Sequence, residues 1–160
     1  MEFKKIPPIS TFTENNILNV DLQMCFALYS ASLTMTKAYK PLLAALNLTY
    51  PQYLVLLVLW EKETMTVSSL GERLFSDSGT LTPLLKRLEK LGFIQRQRSA
   101  EDERKVIVSL TRAGKELHSL AANVPTQISC STGCSLAEIK LLNEQLISLR
   151  TALIKNSLRT

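Results

Sequence analysis

Five or six stretches with hydrophobic residues three and four apart, a single pair of β-prone runs joined by a polar loop, and no internal repeat predict a mainly α domain with one small β-hairpin. At 160 residues the chain fits one domain, which buries roughly 68–70% of its unfolded surface and needs no disulfide staples. Hydrophobic residues are 46% and charged residues 21%, a balance that excludes a disordered chain. The longest apolar run, Tyr53 to Trp60, is eight residues, against about 20 for a membrane-spanning helix. The opening MEFKKIPPIS has no apolar stretch suited to a secretory signal. A cytoplasmic protein with no membrane partner is expected.

Residues 1–15 carry Pro7 and Pro8 among scattered Ser and Thr and read as an extended arm. A helix is expected from Ile17, with Leu18, Leu22, Cys25, Phe26, Tyr29 and Leu33 on its apolar steps; Pro41 should bend or end it near Tyr39. Thr49 caps a second helix with Pro51 in its first turn, and LVLLVLW makes that helix apolar nearly all round, hence central. Thr66 caps a short third helix with Leu70 and Leu74 inward. Phe75 to Gly79 reads as a turn. The next helix carries Leu81, Leu84, Leu85, Leu88 and Leu91 and ends at Gly92. Phe93–Arg96 and Val106–Leu110 are the β-prone runs, and RSAEDERK between them should project as a loop. Thr111 caps a helix interrupted near Pro125. Ser135 and Glu138 form a capping box for the last helix. Leu136, Ile139, Leu142, Leu146, Leu149 and Leu153 give it a stripe that needs a partner. The simplest partner is the first helix, of its own chain or of another.

The net charge is +5, and it is unevenly spread. Residues 1–66 hold five charges of each sign; residues 67–115 hold ten basic and six acidic; residues 116–160 hold four and three. The excess therefore sits where helix, turn, helix and hairpin follow one another, the order of a winged helix-turn-helix. Such a fold meets a polyanion, and double-stranded DNA is the expected partner. The second helix of the pair would present Ser78, Thr80, Thr82 and Pro83 to base edges. Lys86, Arg87 and Lys90 suit phosphates. Arg104 at the hairpin tip is able to enter a minor groove, and Asp102 is placed to orient it or to shape the loop.

The run TVSSLGERLFSDSGTLTPLLKRLEKLGFIQRQRSAEDERKVIVSLTRAGKEL resembles the winged helix of the MarR family of bacterial transcription regulators. The segment MCFALYSASLTMTKAYKPLLAALNLTYPQYLVLLVLWE is similar to its organic-hydroperoxide-sensing branch, and the likeness spans roughly residues 17–155. It implies a homodimeric repressor of operator DNA with an organic hydroperoxide as inducer. Residues 1–160 would form one domain, with 17–46 and 111–157 as dimerisation helices and 49–110 as the DNA-binding region. No cofactor and no enzymatic turnover are implied.

Cys25 and Tyr29 lie four apart, on one helix face. Tyr39 is at nearly the same angle but about 21 Å along the axis at 1.5 Å per residue. If Cys25 and Tyr39 act together, Tyr39 must come from a second, antiparallel chain, and Tyr50 could join it. By resemblance, Tyr39 and Tyr50 touch the reactive sulfur across the dimer interface. An ordinary thiol, at about 8.5, is mostly un-ionised near neutrality. The first arginine is Arg73, so no guanidinium in residues 1–72 helps; tyrosine hydroxyls donating to the sulfur are the available substitute. Leu22, Met24, Phe26 and the apolar second helix are candidates to line a peroxide pocket. Oxidation to sulfenic acid followed by disulfide capture is the expected switch. Cys130 matches the resolving cysteine of two-cysteine sensors by resemblance, and Cys134 could compete.

Three alternatives use the same residues. Cys25, Cys130, Cys134 and His118 offer enough ligands for a tetrahedral metal sensor. A phenolic or other small ligand could release the DNA with Cys25 merely lining its pocket. A thiol peroxidase would need a cation beside the sulfur. No metal is expected.

Overall fold

The computed structural model describes residues 18–157, so the arm expected over residues 1–15 lies outside them. Its helices are α1 (Met24–Ala44), α2 (Tyr50–Lys62), α3 (Val67–Leu74), α4 (Ser78–Lys90), α5 (Arg112–Ala121), α6 (Val124–Thr132) and α7 (Leu136–Ser157). Three strands, β1 (Thr64–Thr66), β2 (Ile94–Arg98) and β3 (Val106–Leu110), form an antiparallel sheet in the order β1-β3-β2. Thr64 pairs with Ser109, and Ile94 with Leu110. The fold is mainly α with a small sheet, and α3, α4 and the β2–β3 wing form a winged helix-turn-helix.

Most capping residues act as their chemistry requires. The Gln52 carbonyl accepts from the Thr49 backbone N–H at 2.8 Å. Thr66 accepts from Ser69 N at 3.1 Å, and Thr111 from Gly114 N at 3.1 Å. Glu138 accepts from Ser135 N at 2.8 Å, the reciprocal bond of the capping box. Gly92 lies at φ +77° and ends α4 as a left-handed residue.

Five expectations are corrected. The first helix opens at Met24, not Ile17: a 3₁₀ turn, Val20–Leu22, precedes it, and the Asn19 side chain accepts from Asp21 N. Pro41 does not end α1, which runs on to Ala44. Buried Leu43 and half-buried Ala38, Tyr39 and Leu42 hold that last turn on the core, outweighing the roughly 3 kcal/mol a mid-helix proline costs. The sheet has a third strand, β1, whose last residue doubles as the α3 cap. Strand β2 starts at Ile94 and reaches Arg98. The turn before α4 is shorter than Phe75–Gly79, because Asp77 accepts from Thr80 N at 2.8 Å and starts the helix at Ser78.

The core is centred on α2, as its all-round apolar sequence requires. Tyr53, Val55, Leu56 and Leu59 are buried there against Leu43, Leu70, Leu81, Leu85, Leu88 and Val108. Helix α5 packs where Gly114 faces the start of the wing, and a Cβ there would sit 2.0 Å from the Phe93 carbonyl oxygen. The Trp60 indole N–H donates to the Gly114 carbonyl at 2.9 Å, so α2, α5 and the wing meet at one residue. Gly114→Ala should therefore cost about 3 kcal/mol or more, because backbone rather than a flexible side chain must yield; the urea midpoint measures it.

Helix α3 closes with the same pair of backbone bonds as α4 but without a glycine. Ser76 N donates to Gly71 O at 3.0 Å and Phe75 N to Glu72 O at 3.3 Å, a Schellman closure with Phe75 in the left-handed position (φ 53°) that glycine usually fills. A non-glycine residue there costs about 1–2 kcal/mol.

None of the residues of α7 is buried. Leu136, Leu142, Leu146 and Leu153 of its stripe are exposed, as are Met24, Phe26, Tyr29 and Leu33 on α1. Within the chain it is α6, not α7, that lies along α1. Val124 and Gln127 sit by Leu42 and Leu46, and Ile128, Ser131 and Thr132 sit by Ala31–Ala38, so the two helices run antiparallel.

Candidate nucleic-acid interface and thiol site

Helix α4 turns Leu81, Leu85 and Leu88 into the core, which leaves Ser78, Thr80, Pro83, Lys86, Arg87 and Lys90 exposed and Thr82 half-buried. Two hydroxyl hydrogens are already used: Thr82 donates to Ser78 O at 2.7 Å and Thr80 to Asp77 Oδ2 at 2.9 Å. What these threonines offer a base is therefore a methyl group and a lone pair. Arg104, at the wing tip, and Ser78 and Thr82, on α4, line one cleft of about 740 Å³ floored by Val67, Leu81, Leu85 and Val106. Wing tip and helix start thus face a common opening.

Asp102 shapes the loop rather than holding the Arg104 guanidinium. Its carboxylate accepts from the Arg104 backbone N–H at 3.1 Å and lies 3.6 Å from Lys105 Nζ. The exposed Arg104 side chain is left to reach outward. Among the described residues no ion pair is formed by Lys86, Arg87, Lys90 or Arg104.

Arg96 belongs to the basic excess but serves structure. Its Nη2 meets Glu89 Oε2 at 2.6 Å and its backbone N–H donates to Glu89 Oε1 at 3.1 Å. The clamp fixes the wing to α4, and its hydrogen bond to Arg96 holds the Glu89 carboxyl below its ordinary pKa. A Glu–Arg pair seven residues apart across a turn leaves no periodic trace, so the sequence alone does not reveal it.

Asp77 is the other carboxylate that matters here. Hydrogen bonds from the Thr80 backbone and hydroxyl lower its pKa from 3.8. A lowered folded value makes its capping contribution complete above the ordinary pKa and lost as pH falls through the lower one. Below about pH 4, Asp77→Asn should therefore show a shallower acid loss of stability than wild type; urea midpoints across pH report it.

Cys25, Cys130 and Cys134 are free and exposed. Helix α1 is unbroken from Met24 to Ala44, so the 14 residues from Cys25 to Tyr39 span about 21 Å and the two do not meet in one chain. Tyr29 sits one turn from Cys25 on the outer face and is exposed. Tyr39 instead joins Tyr50, with ring centroids 4.7 Å apart. Tyr53, buried at the head of the apolar run of α2, completes the cluster at 5.8 Å from Tyr39. Burial first, then the neighbouring Tyr50 and Tyr53, push the Tyr39 phenol up to about 12, and burial raises Tyr50 as well. Both hydroxyls stay protonated through the physiological range and remain hydrogen-bond donors.

The expected peroxide pocket is not closed by one chain. Met24 and Phe26 are exposed, and the apolar residues of α2 serve the core. His118 packs edge-on against Trp60, ring centroids 5.3 Å apart, so the imidazole of the tetrahedral-metal alternative is engaged in α5–α2 packing. Among the described residues no three His, Cys, Asp or Glu side chains converge on a possible metal site. No described helix is long and apolar enough to cross a membrane.

Fold and site together define a winged-helix transcription regulator carrying an exposed thiol on its first long helix. The family model for the transcriptional regulator SarA/Rot matches residues 37–119. The organic hydroperoxide resistance transcriptional regulator of Bacillus subtilis is 52% identical over 132 residues, which is 82% of this chain and 90% of that one. Reduced AbfR bound to DNA, a Staphylococcus epidermidis protein, is 35% identical and superposes with a TM-score of 0.72, covering 89% of this chain and 99% of that one. Disulfide-formed AbfR, also 35% identical, gives 0.59 over 85% and 96%. The chain belongs to the MarR family of winged-helix transcription regulators, in its organic-hydroperoxide-sensing branch.

Proposed function

We propose that the chain is a redox-sensing repressor, which binds two-fold operator DNA as a reduced homodimer in the reducing cytoplasm and lets go when an organic hydroperoxide oxidises Cys25. The carrying observation is the separation along α1. Cys25 lies about 21 Å from the half-buried Tyr39–Tyr50 pair, and the α1 surface around the thiol, with Met24, Phe26, Tyr29 and Leu33 exposed, is left open by one chain. A second α1 running antiparallel brings the thiol of each chain beside the phenols of the other and covers the exposed faces of α1 and α7. Tyr39 and Tyr50 then donate to the sulfur and favour its thiolate; Tyr29 extends the same face.

The chemistry balances without a cofactor. The Cys25 thiolate attacks the terminal peroxide oxygen, the O–O bond breaks, and the alkoxide takes a proton and leaves as an alcohol. The sulfenic acid is then attacked by Cys130 of the partner subunit. An S–S bond forms, the S–O bond breaks, and the hydroxyl leaves as water. The thiol is consumed stoichiometrically. A bridge within one chain is disfavoured, because Ser131 and Thr132 lie by Ala31 and Thr34 and Cys25 is about 9 Å further along α1 than Ala31, beyond the roughly 7 Å Cα limit for a disulfide. Cys134, four residues on, competes for the same role.

Ser78, Thr80, Thr82 and Pro83 would face base edges, Lys86 and Arg87 the phosphates, and Arg104 the minor groove, ordered by Asp102. The superposition on AbfR bound to DNA supports a DNA-competent arrangement of helix and wing.

The test is the pH dependence of Cys25 alkylation in wild type and in a Tyr39→Phe, Tyr50→Phe double variant. The midpoint should rise in the variant. An unchanged midpoint sinks the intersubunit thiol–phenol arrangement.

A further inference from the structure

The strained end of α3 has a partner on α7. The Arg150 guanidinium of α7 lies over the Phe75 ring, 4.2 Å from its centroid. Phe75 occupies the left-handed closing position of α3, and its ring is exposed, so burial does not explain a large side chain there. Two residues later Asp77 caps α4, the helix that carries the base-facing side chains. The ring therefore stands on the hinge between the two helices of the DNA-reading unit, and the cation holding it belongs to the helix that follows Cys130 and Cys134.

We infer that Phe75 and Arg150 are a positioning pair that ties α7 to the start of the recognition helix, so that displacement of α7 on thiol oxidation is delivered to the DNA-reading surface. A guanidinium stacked on an aromatic face forms a directional contact that survives small rotations and fails on larger ones. Glycine would satisfy the backbone at position 75 without strain but would give Arg150 nothing to hold. The aromatic residue is kept at the cost of local strain, a pattern met at switch regions. The assignment rests on the redox reading above.

The experiment compares operator affinity before and after stoichiometric cumene hydroperoxide in wild type, Phe75→Gly, Arg150→Met and Arg150→Lys, with mass spectrometry confirming equal oxidation of Cys25. Phe75→Gly relieves the backbone, so it keeps the fold, and a thermal melt verifies that. Reduced affinities should stay within threefold of wild type. The ratio of oxidised to reduced dissociation constants should fall at least tenfold in Phe75→Gly and Arg150→Met and be largely restored in Arg150→Lys. Full wild-type release by the glycine and methionine variants overturns the assignment alone. Loss of reduced affinity with an unchanged ratio also overturns it, making Arg150 a DNA contact. A wild-type protein that keeps its operator after oxidation overturns the redox reading, and the pair's role with it.

Discussion

Cys25→Ser should bind operator as the reduced wild type does and ignore cumene hydroperoxide, a loss of sensitivity of at least 100-fold. The side chain is exposed in the single chain, so exchanging sulfur for oxygen leaves the core untouched. A serine hydroxyl cannot form a sulfenic acid or a disulfide, so the first step up the oxidation ladder is removed. Cys130→Ser should behave differently. It should still form the sulfenic acid at Cys25, but without the intersubunit link seen on a non-reducing gel. If the Cys134→Ser variant loses the link instead, the resolving role moves there. Normal release by Cys25→Ser would contradict the mechanism outright.

Leu142→Glu combined with Leu146→Glu should split the dimer and weaken operator binding by about 10³-fold, because one half-site then acts without its tethered twin. Both leucines lie one turn apart on α7, and both are exposed within the chain. The substitutions therefore spare the single-chain fold and place carboxylates where a partner must be dry. Analytical ultracentrifugation reads the mass and fluorescence anisotropy reads the DNA. A dimer of undiminished affinity would remove α7 from the interface.

Much of this architecture is legible in local chemistry. Thr49, Thr66, Thr111 and Ser135 announce four helix starts because a short hydroxyl beside an apolar period has few other uses. Gly92 announces a stop, and LVLLVLW announces the centre of the core. What escapes is what depends on distant neighbours. Strand β1 is three residues long and is held by pairing with Ser109, Val108 and Ile107, none of which is nearby in sequence. Pro41 reads as a terminus until Leu43 is seen buried behind it. Arg96 is one more charge in the basic excess until Glu89 is found closing on it. On the thiol side, the heptad-like stripe of α7 and the distance from Cys25 to Tyr39 are written in spacing alone. The membership of Tyr53 in the phenol cluster is not, because its ring sits in the core and only the fold turns one edge toward Tyr39.

In the proposed dimer, a 22-residue helix with nothing buried in its own chain gains most of its packing from another copy. Its stability would then depend on association, and apparent melting should drift with protein concentration. If the phenols beside each thiol come from a second copy, as proposed, an unpaired polypeptide responds poorly to oxidant as well as to DNA. The cell's threshold for alarm is then set in part by how many copies it keeps.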